Sequence, residues 1–187
     1  MSLPSTQRGV DSTVRTGLTA LDERLRAITT PLPAARWSVR RPDGGWSVGE
    51  VLEHCCLAND AYLTAMRAAL TRAGATVPPA GERLWRPTFM GGLLRKSLEM
   101  TFRLPAPGRI QPGPTPRANV LDALLATHEA VRTLMTDAAA HDWTRLRFTS
   151  PLSTLVRPNF GDAFLIALRH GERHAGQIER TIALIDR

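Results

Sequence analysis

Apolar residues recur at helical spacing in four long stretches of this chain. In the first, Val14, Leu18, Leu21, Leu25 and Ile28 follow one another at steps of four, three, four and three. That is the seam of an amphipathic helix. "TTPLP" at 29–33 ends it, because proline cannot continue the hydrogen-bond ladder. In "GWSVGE", Ser47 can cap a second helix and Glu50 can return the bond. This helix is expected to reach Arg72, with Val51, Cys55, Ala58, Tyr62, Ala65 and Ala69 on its apolar stripe and Gly74 closing it. Residues 73–117 are punctuated by proline and leave room for one short helix over 91–102. Thr115-Pro116 reads as a cap followed by proline in the first turn of a third long helix. Its stripe is Leu121, Leu124, His128, Val131 and Met135, and it ends near His141. A second connection, with some extended character over 145–148, leads to a fourth helix from about Asn159. The inner face there should be Ala163, Ala167, His170, His174, Ile178 and Ile182.

Four long amphipathic segments and few strand patterns predict an all-α protein, a four-helix bundle. The short link between helices one and two makes them antiparallel neighbours. The long link between two and three is a crossover, a lid or a binding loop. Residues 1–9 are expected to form a flexible N-terminus and 10–187 a single domain. No apolar run approaches the roughly 20 residues a membrane helix needs. The first residues, "MSLPSTQRGV", lack a secretory pattern, so a cytoplasmic location is expected.

Composition changes this picture in two places. The chain carries a net charge of +7, nearly all of its basic residues being arginine. Those arginines are spread from Arg8 to Arg187, and aromatic residues make up only 5% of the chain. Neither fits a specific nucleic-acid surface, which interleaves basic and stacking residues. The two cysteines, Cys55 and Cys56, are adjacent and point about 100° apart on a helix. They offer neither a disulfide framework nor a CxxC knuckle, so a metal site would rely on histidine and carboxylate. Cys55 lies on the core stripe as a small hydrophobe, and Cys56 is rotated toward a neighbouring helix or partner.

His170 and His174 stand four apart, so their side chains stack on one helix face. Both could reach one ion at about 2.0–2.1 Å. The opposite face carries Arg169, Glu172, Arg173 and Arg180, so the imidazoles point inward. Two buried imidazoles side by side need partners: a shared metal, or separate bonds to backbone and water. His54, on the second helix, is the candidate third ligand. His128 competes for that place but reads better as a core histidine, and His141 as a surface one at a helix end. Gln177, one turn beyond His174, can donate to a bound ligand or bond a neighbouring helix. Glu50 can orient His54 or simply cap its helix. Trp85 and Phe89 can form an apolar lid or anchor their loop. Arg83, Arg86, Arg95 and Lys96 would favour an anionic substrate if the crossover covers the site mouth.

"GWSVGEVLEHCCLAND" resembles the W-S-x-x-E-x-x-x-H stretch of the DinB-like (YfiT-like) superfamily, whose members are regarded as metalloenzymes. "RHGERHAGQIER" is similar to its terminal H-x-x-x-H-x-x-Q stretch, and "TSPLSTLVRPNFGDAF" to the segment before its last helix. The resemblance covers about residues 10–187. It implies an up-down-down-up four-helix bundle with the crossover between helices two and three. It implies a divalent metal, zinc or nickel, held by His54, His170 and His174, and often a homodimer. Some members are transferases or isomerases that use a low-molecular-weight thiol, and many have no assigned activity. "CC" after His54 departs from the apolar residue usual there. The function expected is therefore a metal-dependent enzyme activating a thiol or water for S-transfer, isomerisation or hydrolysis on a small molecule. The alternative is a non-catalytic, stress-related bundle with a structural or vestigial metal site.

Overall fold

The computed structural model describes residues 3–78, 81–98 and 107–185. Five α-helices and no strands occur among them: α1 (Gln7–Thr29), α2 (Val48–Ala73), α3 (Phe89–Leu98), α4 (Val120–Asp137) and α5 (Phe160–Ile185). The protein is all-α, as the periodicity predicts.

Each long helix starts for a local reason. Thr6 caps α1 by accepting from the Gly9 amide, so Gln7–Gly9, expected in the terminus, are already helical. Ser47 and Glu50 form the expected capping box on α2. Asn159 caps α5: its side-chain oxygen accepts from the Asp162 amide at 2.9 Å, and Asp162 accepts from the Asn159 amide at 3.3 Å. The exception is α4, which starts at Val120 and not at Thr115-Pro116. The residues before it are committed elsewhere. Pro116 lies against Gly49, and the Arg117 guanidinium pairs with Glu53 at 2.6 Å. Those contacts hold 107–119 as a strap against α2, with one short 3-10 turn at Gly108–Ile110 and no helical start at Thr115-Pro116. The same helix ends at Asp137, short of His141.

The short helix of the crossover begins at Phe89, two residues before the expected Gly91, because the Thr88 hydroxyl accepts from the Gly91 amide at 2.9 Å. Residues 99–102 of that expected helix lie outside the described residues. The extended character expected near 145–148 takes the form of an isolated bridge between Arg147 and Asn159.

The long helices pack in pairs. α1 meets α5 where Gly17 faces Leu168 and Leu21 faces Gly171. The missing side chains let the two backbones approach closely. α2 meets α4 through Asn59, which donates to Thr127 at 2.8 Å, and Cys56, beside the Val120 carbonyl. α2 also packs on α5, and α3 lies along the outside of α5. Wedged among three helices, α5 is buried over a far wider face than one stripe: Phe164, Leu168 and Ala175 join the expected Ala163, His174 and Ile178. The core is closed at one end by Trp143, Phe164, Phe160 and Phe148, whose rings meet edge-on.

Candidate metal centre

Three histidines from two facing helices meet in this fold. α2 presents His54, eight residues along from Trp46 at its cap, and α5 presents His170 and His174 from adjacent turns. His54 and His174 are buried and His170 is half-buried. The Nε2 atom of His170 lies 3.2 Å from Nε2 of His54 and 3.1 Å from Nε2 of His174. All three rings therefore aim the same nitrogen at one point. This is the one group of three or more His, Cys, Asp or Glu side chains with metal-site geometry among the described residues.

Burial sets the charge of this cluster. It lowers the pKa of His54, an effect partly opposed by the bond its ring makes to the Ile110 carbonyl. Burial also pushes His170 well below the usual imidazole range, and the neighbouring His174 and His54 add to that. His174 is pushed down to about 3, first by burial and then by His54. All three imidazoles are neutral near pH 7, the form that binds metal. No acidic side chain contributes to any of these shifts.

Two further contacts define the surroundings. The Nδ1–H of His54 donates to the Ile110 carbonyl at 2.7 Å, so its Nε2 carries a bare lone pair toward the centre. Trp46 stands against His54 with ring centroids 4.9 Å apart and forms one wall. Neither Ile110 nor Trp46 is a site residue by the sequence reading. A backbone carbonyl has no residue-type signature. Trp46 did carry a signal: it opens the W-S-x-x-E-x-x-x-H stretch that ends on His54.

The remaining candidates are placed as follows. Gln177 is beside the triad, its Oε1 2.9 Å from Nδ1 of His174. Glu50 caps its helix through Ser47 and pairs with Arg40, touching none of the three histidines. Trp85 is 3% exposed, donates to Asn159 at 3.2 Å and covers Gly161. Gly161 is nine residues before His170, about 13 Å away along the helix axis. Trp85 anchors its loop to the start of α5 and does not cover the triad. Arg86 is at that same end: its carbonyl accepts from Asn159 at 2.8 Å and its amide donates to Thr144 at 3.1 Å. Arg83 donates to the Ala140 carbonyl there, so neither arginine lines the site mouth. Phe89 is 84% exposed and is no lid either. At the other end of α3, the Leu98 carbonyl accepts from Arg173, which brings the helix that carries Arg95 and Lys96 toward the site end of α5.

His128 is a core histidine, 1% exposed, with Nδ1 donating to Asp22 at 2.5 Å. Arg132 pairs with the other oxygen of Asp22 at 2.6 Å, so this network ties α1 to α4 apart from the triad. His141, expected at the surface, is half-buried and donates to the Gly74 carbonyl at 2.9 Å just beyond α2. Cys55 and Cys56 are both buried. Burial raises both thiols, Cys56 to about 12, which removes them from nucleophilic chemistry.

No curated protein and no solved structure matches this chain. Residues 18–178 match the DinB superfamily, a stretch that contains His54, His170, His174 and Gln177 alike. With most of its length inside that match, and with three histidines gathered from α2 and α5, the chain belongs to the DinB superfamily.

Proposed function

We propose that this protein is a metal-dependent enzyme whose divalent ion, zinc or nickel, is held by His54, His170 and His174. One observation carries the reading: three neutral imidazole nitrogens converge, that of His170 lying 3.2 and 3.1 Å from those of His54 and His174 and all three within 4.8 Å of one another, with no acid among them. Each neutral ring has a single N–H, and that of His54 already belongs to Ile110. Lone pairs facing one another in a buried place repel unless something positive lies between them. A divalent ion answers all three at once. Three protein ligands leave coordination positions open, which is the pattern of catalytic rather than structural sites.

When bound, such an ion supplies Lewis acidity and lowers the pKa of a thiol or water beside it. The chain's own residues then hold and orient. Ile110 fixes the His54 ring, and Trp46 shields one side of it. We assign the chemistry to thiol S-transfer or isomerisation, or to hydrolysis, on a small molecule. A low-molecular-weight thiol is the candidate cosubstrate. The wider reading is a cytoplasmic homodimer whose residues 10–187 form one domain, an up-down-down-up four-helix bundle. The facing pairs Gly17–Leu168 and Arg24–Glu179, and Cys56–Val120 and Asn59–Thr127, support that topology. In each set the contacts advance in the same direction along both helices. No described helix is long and apolar enough to cross a membrane.

The test is metal analysis of protein purified without a histidine tag. One ion per chain is expected, with loss of stoichiometric metal in His174→Ala and His54→Ala. A screen for thiol-dependent turnover on the loaded protein then separates an enzyme from a bundle with a structural or vestigial ion. Substoichiometric metal that is indifferent to both substitutions would overturn the reading.

A further inference from the structure

We infer that Gln177 is a positioning residue that holds His174 in the tautomer whose Nε2 lone pair can receive an ion. This rests on the metal reading above and concerns a residue that touches no reacting atom.

The argument starts from proton counting. In its neutral form His174 carries one N–H, on Nδ1 or on Nε2. Its Nε2 lies 3.1 Å from Nε2 of His170, which is hydrogen-bonding distance. Left alone, His174 would put its proton on Nε2 and donate it to His170. That internal bond would satisfy two of the three nitrogens and occupy the position an ion needs. The alternative tautomer is favoured only if Nδ1–H has a better acceptor. Gln177 provides one: its Oε1 lies 2.9 Å from Nδ1, and as a carbonyl oxygen it can only accept.

Helical geometry explains why this residue can do so. Gln177 follows His174 by three positions, the spacing at which side chains on a helix touch. It is half-buried, so the bond is sheltered from competing water while the side chain remains replaceable. His54 has the equivalent acceptor in the Ile110 carbonyl, on the opposite side of the site. The two acceptors leave bare Nε2 lone pairs on His54 and His174, flanking His170. Acceptors of this kind behind a metal-binding histidine are worth roughly 10–100-fold in metal affinity.

The experiment compares wild type with Gln177→Leu, which removes the acceptor, and Gln177→Glu, which keeps it. Nitrogen NMR of the metal-free proteins at pH 8 reads the His174 tautomer, and zinc titration reads the affinity. Wild type and Gln177→Glu are expected to carry the proton on Nδ1. Gln177→Leu is expected to move it to Nε2 and to lose zinc affinity by about 10–100-fold, with an unchanged melting temperature of the metal-free protein. A wild-type His174 already protonated on Nε2, or a Gln177→Leu variant with unaltered zinc affinity, would overturn the inference while leaving the metal site standing. Failure of the wild type to take up zinc at all would instead overturn the metal reading and this one with it.

Discussion

Gly161 shows how finely single positions are set. A β-carbon there would run into the Trp85 indole, which is fixed by its bond to Asn159. Gly161→Ala is therefore expected to destabilise the fold by about 1–3 kcal/mol, as overpacking does, and a denaturant midpoint measures it. At Cys55 and Cys56, burial and raised thiol pKa predict that neither reacts with a thiol reagent in native buffer. Both should label only in denaturant, and labelling at native rates would contradict their placement. The same scale shows what the sequence made legible. His170, His174 and Gln177 are readable because helix spacing alone puts them on one side. His54 is readable from its place beside the apolar stripe of α2, next to Val51 and Ala58. Ile110 and Trp46 are not readable by that logic, one acting through its backbone and the other occupying the turn ahead of a cap.

Among the elements, the long helices follow directly from apolar periodicity. The start of α4 does not, since Thr115-Pro116 has the local chemistry of a helix start. Tertiary contacts overrule it: Pro116 against Gly49, and Arg117 on Glu53. That same strap delivers the Ile110 carbonyl to His54, so the residues that defeated the local reading also complete the site. α3 depends on contacts of another kind. Asp162 in the first turn of α5 accepts from the Thr88 amide at 3.0 Å and from its hydroxyl at 2.6 Å, and Gly91 packs on the carboxylate. Asp162→Ala removes this anchor together with the return bond from the Asn159 amide, while the bond from the amide of residue 162 to the Asn159 side chain stays. A loss of about 1–2 kcal/mol is expected, and amide hydrogen exchange across Phe89–Leu98 should accelerate by roughly tenfold. Unchanged exchange in that helix would show that α3 is held by its apolar side alone.

Over the whole molecule, the basic balance hides a set of carboxylates that are each claimed by a base. For Asp22, burial opposes ionisation, but the bonds from His128 and Arg132 outweigh it and lower the pKa. Glu53 is lowered chiefly by its bond to Arg117. Glu50 is lowered too, burial being outweighed by Arg40 and Ser47. A group whose pKa is lower folded than unfolded takes up its proton first in the unfolded chain as the pH falls. Its contribution is thus complete above the ordinary carboxylate range of about 4 and is lost as the pH drops through the folded value. These carboxylates contribute no change in melting temperature between pH 6 and 5, where the three clustered histidines, protonated first in the unfolded chain, already lower it. The melting temperature should fall steeply from about pH 4 downward, by roughly 2–4 °C for each kcal/mol lost. Glu53→Gln should soften that slope; a slope identical to wild type would show the pair contributes nothing to acid stability.

His54 and His170 are 116 residues apart along the chain. During synthesis, His54 leaves the ribosome long before His170 and His174 exist. A fragment lacking α5 lacks two of the three clustered histidines, so on the metal reading proposed above loading would follow synthesis of α5. The ion would then bind only the finished molecule, and mass action makes it a stabiliser of that state, by about 2.7 kcal/mol at a hundredfold excess over its dissociation constant. Metal supply in the cell would in this way govern how long the protein survives as well as what it can do.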